Sequence, residues 1–472
     1  MTRYKRSALT FQKSIKQGIF MKILQLFSFF GVALVAGGGA AYAQNVGVTA
    51  ETAFILNTFM FLICGAFVMW MAAGFTMLEA GLVRSQNTAT ICLKNIALYS
   101  IAGIMYYFVG YNLMYVDVNG IIGTFSFLYD PSAAETALMA AEDGAQAAAA
   151  ADVYNNSDYS VMSDWFFQMV FVATAASIVS GTVAERMKLW SFLVFVVVLT
   201  GFIYPIQGAW TWGQGWLNDM GFSDFAGSTI VHSVGGWAAL MGAIILGPRI
   251  GKYAADGHVM AMPGANLPLA TLGTFILWLG WFGFNGGSVL ALASTKAATS
   301  MSLVFVNTNL AAAAGCLAAM GWATLRFGKP DLTLVLNGAL AGLVAITAGP
   351  DVASPATALI IGAIGGVLCC IAIPMFDKLK IDDVVGALSV HLVAGIWGTL
   401  AVAIFGGADF VVQLTGIVAI GAFVCVTSGL VWAILKYTIG IRVSERDERF
   451  GLERAEVGLD AYADFEIKHT RL

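Results

Sequence analysis

Eleven apolar runs, most of them about as long as a bilayer is thick, decide what this chain can fold into. Hydrocarbon offers no water to backbone N–H and C=O groups. A run of about 20 apolar residues must therefore pair them internally, as a helix. The runs fall at 53–78, 94–115, 165–183, 187–207, 226–247, 264–285, 300–325, 332–349, 355–375, 384–405 and 411–437. Charged residues make up only 11% of the 472, against roughly 25% in a soluble domain. The net charge of −4 comes without a basic block, which leaves no footprint for nucleic acid. Cys64, Cys92, Cys316, Cys369, Cys370 and Cys425 lie in apolar stretches. They lack the spacing of a zinc site and read as small packing residues.

The N-terminus stands apart. Met21-Lys22 opens an apolar run to Ala36, and Ala41-Tyr42-Ala43 precedes Gln44. This is the pattern of a secretory signal peptide, 1–43, with 1–20 as an upstream extension. Residues 44–438 then form the membrane domain and 439–472 a C-terminal tail.

Charges in the connections set the orientation. Arg84 and Lys94 bracket the first connection. The second, 116–164, holds eight acidic residues and no Lys or Arg. Arg186 and Lys188, Arg249 and Lys252, Arg326 and Lys329, and Lys378 and Lys380 mark the third, fifth, seventh and ninth. The sixth has Lys296 alone, the others have neither, and Lys436 and Arg442 begin the tail. The alternation puts the N-terminus outside and the C-terminus in the cytoplasm. The long second connection, with its run Ala147 to Ala151, becomes an external loop whose middle reads as filler.

Asp224-Phe-Ala-Gly227-Ser-Thr-Ile-Val231-His232-Ser-Val234-Gly-Gly236 matches Asp383-Val-Val-Gly386-Ala-Leu-Ser-Val390-His391-Leu-Val393-Ala-Gly395. The two share D-x-x-G-x-x-x-V-H-x-V-x-G. They belong to runs five and ten, which the loop charges orient oppositely. The chain therefore reads as an inverted five-plus-five repeat plus one C-terminal helix, an architecture that places a transport site near the midplane between halves. Eight residues, roughly 12 Å of rise, separate each Asp from its His, which carries both imidazoles to membrane depth. A lone His there bonds a neighbouring helix; two at matching positions mark a pathway. Imidazole both donates and accepts hydrogen bonds and relays protons near neutral pH. His258 and His469 read as solvated surface. No Asp, Glu, Lys or Arg falls in the middle of a run, so a neutral species suits the centre better than a permanent cation.

Several stretches resemble the ammonium transporter (Amt/MEP/Rh) family, in its bacterial Amt form. They are the Asp224–Gly236 segment continuing to Arg249, Gly81-Leu-Val-Arg84-Ser-Gln-Asn87, Ala184-Glu185-Arg186, Gly280-Trp281-Phe-Gly-Phe284-Asn285-Gly-Gly-Ser288, and Asn337-Gly-Ala-Leu-Ala-Gly-Leu-Val-Ala-Ile-Thr347. The resemblance spans about residues 52–460. It implies an all-α integral membrane protein of eleven transmembrane helices in an inverted repeat, a homotrimer with one pore per subunit, in the bacterial inner membrane, with no enzymatic activity and no cofactor. It implies that His232 and His391 line the pore and that Phe171 and Phe284 form its gate. Trp212 and Ser288 then recruit ammonium outside, with Asp224 as the acid behind them. Trp281, Tyr204 and Thr347 fall beside the pore. Asp224 also reads simply as the N-cap of run five. An aromatic face holds ammonium by about 0.5–2 kcal/mol. Potassium, close to ammonium in size, cannot lose a proton, so a pore that demands deprotonation rejects it. The tail resembles a segment that docks and receives a PII-type signalling protein. Two departures stand out: Leu392 after His391, where the family often has Gly, and Val457 where a His is expected. Two other readings are a membrane ammonium sensor that signals through the tail and a proton- or sodium-coupled symporter of another small solute. The second needs a coupling-ion site, and none is visible in the sequence.

Overall fold

The computed structural model describes residues 48–463; the leader and His469 lie outside them. Among the described residues the regular structure is helical, with two isolated bridge pairs, Met187–Arg442 and Tyr253–Val259. The main helices are α1 (Ala50–Leu82), α2 (Ser85–Tyr115), α3 (Val161–Thr182), α4 (Leu189–Ala209), α5 (Ser228–Leu246), α6 (Leu267–Gly287), α7 (Thr295–Phe327), α8 (Leu332–Ile346), α9 (Pro355–Lys378), α10 (Leu388–Phe405) and α11 (Phe410–Thr438). Ten of these are long and apolar enough to cross a membrane. The exception, α8, spans 15 residues, about 22 Å, and is almost wholly enclosed by its neighbours. This is an all-α integral membrane fold. Its outward residues, such as Phe59 and Trp70 on α1 and Val418 and Leu430 on α11, are large and apolar, as lipid requires.

The helix ends differ from the sequence reading in an informative way. Lys94, read as a loop charge, lies inside α2 and is buried, and α1 runs on past Glu79, also buried. Asp164 lies inside α3. These charges are tolerated because they are partnered. Lys94 Nζ donates to the Ser180 carbonyl at 2.8 Å and stands 3.8 Å from Glu79. The Tyr111 hydroxyl donates to Asp164 at 2.5 Å. The long second connection, expected to be filler, carries regular structure. It holds a helix at Ala133–Ala140, started by a Ser132–Glu135 capping box, and another at Gln146–Asn156. The capping box starts the first; the second has no side-chain cap and packs against the first and against α1.

The matched segments fold alike. Each begins with its Asp carboxylate capping the helix and continues as a π-helical turn, Ser228–Ser233 or Leu388–Val393, that ends just past the His. Asp224 accepts four backbone N–H groups, from Gly227, Ser228, Thr229 and Ile230, at 2.8–3.1 Å. Asp383 accepts two, from Ala387 and Leu388, and the Thr182 hydroxyl. Gly227 and Gly386 sit at φ 106° and 84°, where a side chain is strained. The two helices cross at the repeat's own glycines. A Cβ on Gly236 would lie 2.7 Å from the Leu392 Cβ, and one on Gly395 would lie 2.4 Å from the Ser228 carbonyl. The departure at Leu392 is thus absorbed: its side chain is buried against Gly236.

The tail docks on the body of its own chain. Arg442 pairs with Glu448 and donates to the Leu246 and Pro248 carbonyls; Glu448 accepts Ile250 N–H. Leu452 N–H donates to Asn87, and Glu453 and Glu456 accept Ala89 and Leu189 N–H. These anchors belong to the first, third and fifth connections, so the basic connections and the tail gather at one end of the bundle.

Candidate functional site

A file of rings runs through the middle of the bundle. Trp212, after α4, meets Phe171 of α3 edge-on, with centroids 5.9 Å apart. Phe171 lies against Phe284 of α6 at 4.0 Å and 31°. Phe284 stacks on His232 at 5.2 Å, and His232 stacks on His391 at 5.2 Å. Phe75 of α1 follows, 6.0 Å from His391. Phe171, Phe284 and His232 are at most 1% exposed. Trp212 is half-buried, as a residue at a mouth would be.

The imidazoles meet nitrogen to nitrogen, Nδ1 to Nδ1 at 3.2 Å. One Nδ1 must carry hydrogen and the other accept it, which fixes opposite tautomers. Both Nε2 atoms then point away from the shared bond. His232 Nε2 has no partner among the described residues. Trp281 stacks on His232 at 4.9 Å, and its indole N–H donates to the Thr347 hydroxyl at 2.8 Å, which in turn donates to the Leu343 carbonyl. Thr347 therefore sits behind Trp281 and sets the angle of the ring against His232. Tyr204 is buried, and its hydroxyl has no partner among the described residues.

At the Trp212 end, the indole N–H donates to the Asp224 backbone carbonyl, which orients the ring. The Asp224 carboxylate is consumed by its four N–H groups and buried. Burial pushes it up; the backbone bonds pull it back. The capping role is thus its direct one. Ser288 donates its hydroxyl hydrogen to the Phe284 carbonyl at 2.8 Å, which leaves its oxygen lone pairs for an outside donor.

Beyond His391 the character changes. A small cavity is lined by Phe75, Glu79, Ser177, Asn337, Val385 and His391. Asn337 and Val385 also line a vestibule of about 340 Å³ with Lys252, Asp377 and Asp383. Burial pushes Asp383 up to about 6. Arg249 joins Asp382 and Glu185 at 2.8 and 2.9 Å. Burial alone would raise both carboxyls; the arginines outweigh it and hold them below the ordinary range. Phe75 and Glu79 were not singled out in the sequence. Their only signal is position, on one face four residues apart just before Gly81-Leu-Val-Arg84.

The description Ammonium Transporter Family matches residues 59–462. Ammonium transporter Amt2 of Archaeoglobus fulgidus is 41% identical over 87% of this chain and 89% of its own length. A solved Sensor Amt Protein superposes with a TM-score of 0.77 at 36% identity, covering 87% of this chain and all of that one. Saccharomyces cerevisiae Mep2 gives 0.71 at 25% identity, covering 84% and 89%. With the ring file and paired imidazoles at its centre, this chain belongs to the Ammonium Transporter Family.

Proposed function

We propose that the chain conducts ammonium inward across a bacterial inner membrane, as a homotrimer with a separate pore in each subunit. The observation that carries this is the unbroken file Trp212–Phe171–Phe284–His232–His391. Trp212 presents a π face to a cation, worth about 0.5–2 kcal/mol, and the Ser288 oxygen accepts one of its N–H bonds. Phe171 and Phe284 touch and bar a hydrated ion. Ammonium must lose a proton to pass, whereas potassium has none to lose and would need to shed its water in a segment without charge. The unpartnered His232 Nε2 is the acceptor in line. A proton added there lets the shared hydrogen shift between Nδ1 atoms and another leave His391 on its far side.

The charge pattern of the connections supports an external N-terminus after cleavage of 1–43 and a cytoplasmic tail, 439–472. The docked tail offers a cytoplasmic surface for a PII-type protein. Truncation after Thr438 removes the Arg442, Glu448 and Glu453 anchors and lowers transport; unchanged uptake in truncated trimers contradicts that role. Saturable uptake of labelled methylammonium by vesicles tests the function itself, and its absence from folded protein contradicts it. A second reading, an ammonium sensor, draws on the likeness to the Sensor Amt Protein. It predicts ammonium binding without uptake.

A further inference from the structure

Glu79 is a charged group that the ring file does not use. It lies near the end of α1, 1% exposed. Its Oε2 accepts the Ser180 hydroxyl at 2.7 Å and faces Lys94 Nζ at 3.8 Å. Its Oε1 makes no well-formed hydrogen bond among the described residues, although the Asn95 side chain stands close enough to steady the carboxylate, and Glu79 lines the same small cavity as His391. A pair kept only to tie α1 to α2 would satisfy both oxygens, because a buried half-met carboxylate is costly. Here the lysine's short bond goes to the Ser180 carbonyl at 2.8 Å, and one carboxylate oxygen is left free.

We propose that Glu79 is the inner proton-transfer residue of the pore, receiving at Oε1 the proton that leaves His391 and releasing it to the inner vestibule. The proposal rests on the reading of the ring file as an ammonium pathway. The cavity has room for about one water, enough to bridge the two groups. In the first step the imidazole N–H bond facing the cavity breaks and an O–H bond forms at Oε1, so the carboxylate becomes a neutral acid. In the second, that O–H bond breaks. The proton passes to water in the vestibule, or to the lone pair of an arriving ammonia, and the carboxylate is restored. Lys94 stays protonated throughout. It steadies the carboxylate between transfers and repels an unhydrated metal cation. Asn337 and Val385, shared by the cavity and the vestibule, mark the way out.

The test uses full-length protein in proteoliposomes, with ammonium-evoked current and lumenal pH recorded together. The variants are Glu79→Gln, Glu79→Asp and the charge-free pair Glu79→Gln/Lys94→Met, which avoids stranding a lysine. Loss of a proton-transfer group lowers maximal current about tenfold or more, with an unchanged half-saturating concentration, because Trp212 is remote. Ammonia still enters and the lumen turns alkaline. Glu79→Asp restores part of the current. Wild-type current in Glu79→Gln or in the double variant overturns the proposal. His232→Ala run alongside separates the causes. If it too keeps normal current, the pathway reading falls with the proposal; if it loses current, only the role of Glu79 falls. A wild-type protein that alkalinises the lumen without current also overturns the proposal, and leaves the apolar pore standing.

Discussion

Helices α5 and α10 are the same device used twice, in opposite surroundings. Each is started by an Asp, buried at 224 and part-exposed at 383, opens with a π-helical turn and delivers a His to the centre. Around α5 the device is sealed: Asp224 accepts four N–H groups, and His232 packs against both Phe284 and Trp281, which also touch each other. Around α10 it opens onto polar space. Asp383 accepts only two backbone N–H groups and lines the vestibule, and His391 faces the cavity that holds Glu79. Repetition builds the imidazole pair, whose two nitrogens must come from helices with equivalent geometry. In the proposed pathway the surroundings would give it direction, with stripping of the ion on the aromatic side and rehydration on the polar side.

The histidines give the largest expected effect. His232→Ala and His391→Ala each abolish or distort selective transport, because a polar link in the apolar file is lost. If the double substitution leaves selectivity for ammonium over potassium intact, the pair is not the central element. The caps come next, and they should be unequal. Asp224→Ala strands four buried N–H groups, which at about 1–3 kcal/mol each costs roughly 3 kcal/mol or more even after partial hydration. Asp383→Ala costs about 1 kcal/mol, the ordinary value of a cap. Melting of the two variants in detergent checks the ranking, and equal losses would break the comparison. Trp212→Leu has a smaller effect. Removing about 0.5–2 kcal/mol of cation–π attraction raises the half-saturating concentration roughly two- to thirtyfold while the pore stays open. Unchanged concentration dependence places recruitment elsewhere.

The smallest effect is on pH dependence. Asp382 and Glu185 are held below the ordinary range, so their stabilisation is present above the unfolded carboxylate value near 4 and disappears as pH falls through their lower folded values. Asp383 runs the other way. Its folded value of about 6 means that its contribution is complete below the unfolded value and is lost as pH rises through about 6. Melting should therefore be flat or slightly falling from pH 5 to 7 and should collapse well below pH 4. Arg249→Gln, by removing the partner of both Asp382 and Glu185, moves that collapse to higher pH. An unshifted collapse in Arg249→Gln would show that the network does not set acid stability.

The helices, the repeat and the histidine pair were legible in the sequence because apolar length and a thirteen-residue spacing pattern are local signals. Glu79 and Lys94 were not. Counting charges between spans treats every lysine near a run as loop, and Lys94 lies inside α2 only because Ser180 and Glu79, distant in sequence, meet it there. Thr347 read as a residue beside the pore, and its hydroxyl accepts the Trp281 indole N–H. The alanine-rich second connection read as filler, and its helices rest on one capping box, at the first, and on packing of the second against α1.

In the proposed mechanism ammonium passes by giving up a proton to a histidine pair behind an aromatic gate. Ammonium-evoked current in proteoliposomes on a supported membrane, recorded with and without a large excess of potassium, tests it most directly. The account predicts a saturable current that potassium neither carries nor suppresses. A current carried by potassium alone, or one that potassium competes away, would contradict it.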